Sequence, residues 1–236
     1  MRAVARVFLP VVRRMWLAWG IVCLVAGLTG CMTPVPVPFR DHDPQAVTAC
    51  DAQQLVETCW LSPGQPYLCR HSGLLRVIGR EVPLNGLLRV EADRNSARLV
   101  ALDDFGVKLF DLSVTSAQHE VHYLFPPLEA YPQLTPLVAE SMRRIFLHPL
   151  PESSCRRLAD ESGCVLAAAH GETCRFVFGG QPAVLQRKYG ADWQVDYYQY
   201  QGELKGSVPL RPVPQGIILQ GRGYDLTLWL QEVRTL

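Results

Sequence analysis

Between residues 73 and 125, apolar residues come in short runs broken by turn residues, which predicts consecutive β-strands. LLRVIG is followed by Pro83 and then Asn85-Gly86, a two-residue hairpin-turn signal. LLRVEA comes next, then a polar break at Asp93-Arg94-Asn95-Ser96, RLVALDD, a turn near Phe105-Gly106, VKLFDLSV, and HEVHYLF up to Pro126-Pro127. In VKLFDLSV, Val107, Leu109, Asp111 and Ser113 alternate with Lys108, Phe110, Leu112 and Val114. Both sides of that strand carry apolar residues, so neither is fully wet. LTPLVAESMRRIFLH has the helical period instead: Leu134, Leu137, Val138, Met142, Ile145 and Phe146 share one side at spacings of three and four. Thr135 is placed to cap this helix, Pro136 suits its first turn, and Pro149 and Pro151 stop it. Arg143, Arg144 and His148 sit near the end where the helix dipole favours cations. A second short helix is expected over 152–161. Strands resume over 164–169, 173–179, 182–189, 193–201, 216–221 and 223–234. About ten strands and one amphipathic helix predict a mainly β (α+β) body, a curved or barrel-like antiparallel sheet with a helix against it.

The chain has 236 residues, 48% of them hydrophobic and 19% charged, enough apolar material for one packed domain. The net charge of +1 argues against a protein held to nucleic acid by a basic surface. The charge is uneven. Arg2, Arg6, Arg13 and Arg14 lie in residues 1–30, which contain no acid, and the remainder carries 19 basic against 22 acidic residues. The arginines precede the apolar stretch Met15 to Leu28, 14 residues long. A membrane-spanning helix needs about 20, so a signal-peptide core is the better fit. The stretch closes on Leu28-Thr29-Gly30-Cys31, which resembles the bacterial lipobox. Leu28, Thr29 and Gly30 then form the signal-peptidase box, and the Cys31 thiol receives diacylglycerol with its palmitate-type chains. Met32 at the next position, rather than an aspartate, resembles the sorting pattern for the outer membrane, so the expected place is its periplasmic face.

Pro34, Pro36, Pro38 and Pro44 make the following stretch an extended tether. The expected organisation is a signal peptide over 1–30, lipid anchor and tether over 31–49, and a single domain over 50–236. Six cysteines remain in that domain, Cys50, Cys59 and Cys69, then Cys155, Cys164 and Cys174. An even count in an exported chain points to disulfides. With three cysteines in each triplet, complete pairing requires at least one bond between the triplets. Cysteine pairs at zinc-site spacing are absent, as are the CxxCH of haem attachment and the CxxC of redox exchange, so no metal and no cofactor is expected.

The remaining polar candidates read as ordinary structure. His119 and His122 are three apart on a strand and cannot share a metal. Asp103-Asp104 reads as turn chemistry, and Gly221-Arg222-Gly223 as a turn between strands. Ser72-Gly73 and Ser162-Gly163 lack the hydrolase elbow pattern. Arg143-Arg144 and Arg156-Arg157 are either solvated helix ends or contacts to lipid headgroups or a partner's acidic patch. The cluster Tyr189, Trp193, Tyr197, Tyr198 and Tyr200 has only Lys188 nearby, so core or cavity wall fits better than a nucleic-acid stacking platform. No nucleophile, base and orienting group can be named together, so no enzyme is expected.

The ordered pattern ARLVALDDFGVKLFDLSV, HEVHYLF, LVAESMRRIFL, closing with GYDLTLWLQEV, resembles the LolA/LolB-like lipoprotein-carrier superfamily, in particular its LolB-like outer-membrane lipoproteins. The resemblance implies an incomplete antiparallel β-barrel, lidded by the helix, whose apolar interior holds acyl chains of a lipid or lipoprotein cargo. It makes Leu134, Leu137, Val138, Met142, Ile145, Phe146, Leu109, Phe110 and Leu112 candidates for the cavity wall. The expected partners are the membrane, through the N-terminal lipid, and that cargo; no nucleic acid and a monomeric state are expected. The alternative is a structural or assembly lipoprotein that binds a protein partner.

Protein isolated from membranes is expected to carry acyl groups on Cys31, and peptide mapping without reductant is expected to find a disulfide between the triplets. Cys31→Ala should leave an unacylated precursor. Normally acylated product from that variant contradicts the lipobox assignment; six thiols in protein made in an oxidising compartment contradict the pairing.

Overall fold

The computed structural model describes residues 39, 51–61, 65–77, 79–91, 94–147, 150–151, 155–160, 163–167, 174–180, 182–203 and 212–236. The expected signal peptide (1–30), with Leu28, Thr29 and Gly30, and also Cys31 and Cys50 lie outside them, as do the side chains of Arg156, Arg157 and Cys164.

Short helix α1 (Ala52–Thr58) comes first, and its N-cap Asp51 accepts from the Gln53 amide at 3.1 Å. Strands β1 (Pro66–Val77), β2 (Arg80–Glu91), β3 (Ser96–Leu102), β4 (Lys108–Thr115) and β5 (His119–Leu124) follow. A 3-10 turn (Pro126–Ala130) leads into α2 (Leu134–Phe146). Seven more strands complete the chain: β6 (Arg156–Asp160), β7 (Gly163–Ala167), β8 (Arg175–Gly179), β9 (Val184–Tyr189), β10 (Gln194–Glu203), β11 (Pro212–Gly221) and β12 (Tyr224–Thr235). They form one antiparallel sheet in the order β5-β4-β3-β2-β1-β12-β11-β10-β9-β8-β7-β6. Every pairing joins sequence neighbours except β1 with β12. The two edges, β5 and β6, do not pair, so the barrel is incomplete, and α2 lies on the connection from one edge to the other.

Strand alternation sets one face inward. Tyr67, Cys69 and Leu75 of β1, Leu88 and Val90 of β2, and Phe110, Leu112 and Val114 of β4 are buried there with Phe176, Phe178, Val195, Tyr197, Ile217 and Leu219. Val138, Ala139, Met142, Ile145 and Phe146 of α2 cover it. Trp60, just after α1, fills the space between sheet and helix, edge-on to Tyr67 at 6.5 Å and to Phe146 at 6.1 Å. A second, smaller cluster forms elsewhere. Phe39, from the segment read as tether, stacks on Tyr198 at 5.3 Å and packs with Ile218 and Trp229. Its ring lies over Gly216, where any Cβ would come within 2.4 Å of it. The compact unit thus begins at Phe39.

Three local expectations are corrected. Asn85 and Gly86 lie inside β2; the hairpin turn is at Gly79, whose φ is +71°. Gly86 serves a close approach instead, since a Cβ there would meet the Val100 carbonyl oxygen at 2.5 Å. Helix α2 starts at Leu134 after Gln133 and has no side-chain cap, so Thr135 lies inside its first turn. Residues 156–160, expected in a helix, form β6, because pairing with β7 supplies their backbone bonds. The Phe105-Gly106 turn forms as expected: the Asp103 carboxylate accepts from the Phe105 and Val107 amides, and Gly106 has a φ of +80°.

Candidate functional site

The interface between α2 and the sheet contains an apolar cavity of about 30 Å³, room for one or two water molecules. Its wall is built from β1 (His71, Leu75), β2 (Leu84, Leu88), β3 (Leu99), β12 (Leu226, Leu228) and α2 (Val138, Ser141, Met142, Ile145, Phe146). Alternation explains the strand residues. Leu84 and Leu88 of β2 point inward with Gly86 between them, and Leu226 and Leu228 of β12 face the same way. The helix residues are the inward half of the amphipathic stripe.

Val138, Met142, Ile145 and Phe146, four of the nine wall candidates, line this cavity. The other five do not. Phe110 and Leu112 are buried in the core away from it, and Leu134 and Leu137 pack only partly, on the first turn of α2. Leu109 is buried in the same core beside Phe110, where the β3–β4 pairing shifts register, and it too is absent from the cavity wall. The wall members that sequence reasoning missed are the inward leucines of β1, β2, β3 and β12, with Ser141 and His71. Alternation around each strand was the signal for the leucines. His71 had one signal only, a histidine at an inward position.

His71 is the unusual group. It is 4% exposed, and it faces Gly86 directly across the β1–β2 ladder. The missing side chain at Gly86 leaves room for the imidazole, since a Cβ there would lie 3.1 Å from Nε2. The pairing of β1 with β12 shifts register between Arg70 and His71. His71 Nδ1 has no hydrogen-bond partner. Desolvation by burial lowers its pKa from 6.5 to about 4, so the ring is neutral at pH 7. The other polar wall group, Ser141, donates its hydroxyl to the Leu137 carbonyl at 2.8 Å.

Polar ties hold α2 in place. Arg143 Nε donates to the Thr115 carbonyl at 2.7 Å, and Arg144 pairs with Glu140 at 2.8 Å and lies over the Trp193 ring at 5.5 Å. The Tyr197 hydroxyl donates to the Ile145 carbonyl at 3.2 Å. The two arginines are therefore engaged with the protein itself. The aromatic cluster divides. Trp193 and Tyr197 are core, and Tyr198 joins Phe39.

The remaining chemistry lies away from the cavity. Lys188 is fully buried without a hydrogen-bond partner, 5.9 Å from the centre of the Trp193 ring, and burial lowers its pKa to about 8. Cys59 and Cys174 lie near enough to oppose that shift. Cys69, one of the six disulfide candidates, is buried in the closed core, and burial pushes its thiol up to about 12. His119 and His122 are both exposed, and His122 Nε2 bonds the Ser113 hydroxyl at 2.7 Å. Among the described residues, no three His, Cys, Asp or Glu side chains converge as a metal site would require.

No family model matches the sequence, and no curated protein matches it. Solved structures do. A Vibrio parahaemolyticus domain described as an outer membrane lipoprotein-sorting protein domain is 7% identical, with a TM-score of 0.47 over 78% of this chain and 90% of that one. A LolA superfamily protein from Nitrosomonas europaea is 7% identical, with a TM-score of 0.47 over 78% and 93%. A DUF1329 family protein from Desulfovibrio piger is 7% identical, with a TM-score of 0.44 over 78% and 90%.

The buried imidazole has a signature in pH. Above about 6.5 it is neutral in the folded and unfolded chain alike. As pH falls from there to about 4, the unfolded chain takes up the proton and the folded one does not. Stability is therefore lost through that window, on the order of 3 kcal/mol in all. No other titratable group lines the cavity. His71→Phe is expected to flatten this part of the stability profile, measured by urea unfolding at pH 7, 6, 5 and 4. Parallel profiles for variant and wild type would contradict the assignment.

Proposed function

We propose that this protein is a lipid-anchored protein of the outer membrane's periplasmic face that takes an acyl chain between α2 and the sheet, with no covalent chemistry. The observation that carries the reading is the apolar cavity, placed where a single helix covers the inner face of an unclosed sheet. The lipobox ending at Cys31 supports the anchor, and the sequence pattern shared with LolA/LolB-like carriers supports the cargo class.

At about 30 Å³ the cavity is too small to hold an acyl chain as it stands. An acyl chain enters only when α2 lifts. Each methylene moved out of water contributes about 0.8 kcal/mol, and the side chains of α2 then close on the ligand instead of on the sheet. The helix is suited to such movement. It is a single connection between the two sheet edges, its N-terminus has no side-chain cap, and Pro126 and Pro127 break the chain before it.

One observation favours a second reading. Strand β5 is an edge with its backbone available for pairing, and Val121 and Tyr123 on it are exposed. A protein partner that adds a strand there would make this an assembly lipoprotein.

A fluorescent long-chain acyl probe distinguishes the two. The wild-type protein is expected to bind it, more tightly as the chain lengthens. Val138→Glu should weaken binding at least tenfold, since it puts an unpaired charge in the cavity wall. Circular dichroism must show that the variant folds. No probe binding by folded wild-type protein would overturn the acyl reading and leave the β5-edge partner.

A further inference from the structure

An acyl cavity needs no polar group, yet His71 lies in the wall of this one. An unsatisfied buried polar atom is a standing cost to the fold. The imidazole Nδ1 bonds nothing in the wall: all other residues but Ser141 are apolar, and the Ser141 hydroxyl donates to the Leu137 carbonyl instead. The fold also makes space for the ring, by a glycine directly opposite on β2 and a register shift beside it on β12. A histidine kept uncharged in the wall of an apolar cavity, with one buried ring nitrogen unpartnered, matches a ligand atom that hydrogen-bonds without charge. An ionised carboxylate does not match, because nothing else in the wall would stabilise it.

We propose that His71 is the polar anchor of the acyl site: its imidazole hydrogen-bonds a neutral oxygen, an ester or amide carbonyl, on the ligand and so selects acyl groups over plain hydrocarbon. This rests on the acyl reading above and narrows its ligand class. The carbonyl accepts from the ring N–H, so the bond requires the tautomer protonated on Nδ1, the unpartnered nitrogen. The Leu75, Leu84 and Leu228 side chains then border the start of the chain, and Met142 and Phe146 of the lifted helix cover it.

The test compares methyl hexadecanoate with nonadecane, similar in length, as competitors of the fluorescent acyl probe. Wild-type protein should prefer the ester by about tenfold, the worth of one hydrogen bond to a buried group. His71→Phe should lose the preference for ester over alkane, whereas His71→Gln, which keeps a donor, should retain part of it. Nitrogen NMR of imidazole-labelled wild-type protein supplies a readout that needs no variant. The ester should shift the His71 Nδ1 signal to a hydrogen-bonded N–H position, and the alkane should not. Equal affinity for ester and alkane with an unmoved His71 signal would overturn the anchor and leave the acyl site standing. Binding of neither competitor nor probe would overturn both.

Discussion

A sheet that does not close must cover its inner face with something else. Here twelve strands leave a gap between β5 and β6, and the inner face is almost wholly apolar, from Tyr67 and Leu88 to Phe176 and Ile217. Left wet, such a face would collapse on itself or on another chain. One amphipathic helix, α2, is carried across it by the connection that spans the gap. On the acyl reading the helix has two jobs that conflict: it completes the core, and it covers the β1–β3 and β12 leucines from which it must part to admit a chain.

The contacts reflect that conflict. On one side α2 is held firmly, by Phe146 against Trp60, by Tyr197 bonding the Ile145 carbonyl, and by Arg144 over Trp193. On the other, beneath Val138, Ser141 and Met142, the packing is incomplete, and a polar ring intrudes. Gly86 and His71 oppose each other at that place, so the imperfection is made by two strands together and is not a loose end of the helix. A well-packed core closes gaps of this size with one larger side chain; here glycine is retained in the middle of a strand, and histidine takes the place of an apolar residue.

Much of this was legible in the sequence, because the signals were periodic. VKLFDLSV reads as a strand with apolar residues on both sides, and its Phe110, Leu112 and Val114 are in the core; the stripe from Leu134 to Phe146 became the covering helix. What misled was local chemistry used for a distant purpose. Asn85-Gly86 reads as a turn from its neighbours alone, but Gly86 answers to His71 and to the Val100 carbonyl, on two other strands. Residues 156–160 took strand form from β7. Helix α1, seven residues long, is too short to show a period. The cavity wall was half legible: the helix side came from its stripe, but which strands lie beneath Met142 is set by the pairing of β1 with β12, and nothing local encodes that.

On the acyl reading α2 parts from the sheet to admit a chain. Hydrogen–deuterium exchange of the full protein, with and without a long-chain acyl ester, tests it most directly. Without ligand, the amides of residues 137–146 should exchange through local opening well before those of β1, β2 and β12. With ligand, protection should change in α2 and in the strands that line the cavity, and nowhere else. If α2 exchanges only with global unfolding, and the ester changes nothing there, the helix is a fixed part of the core and the account is wrong.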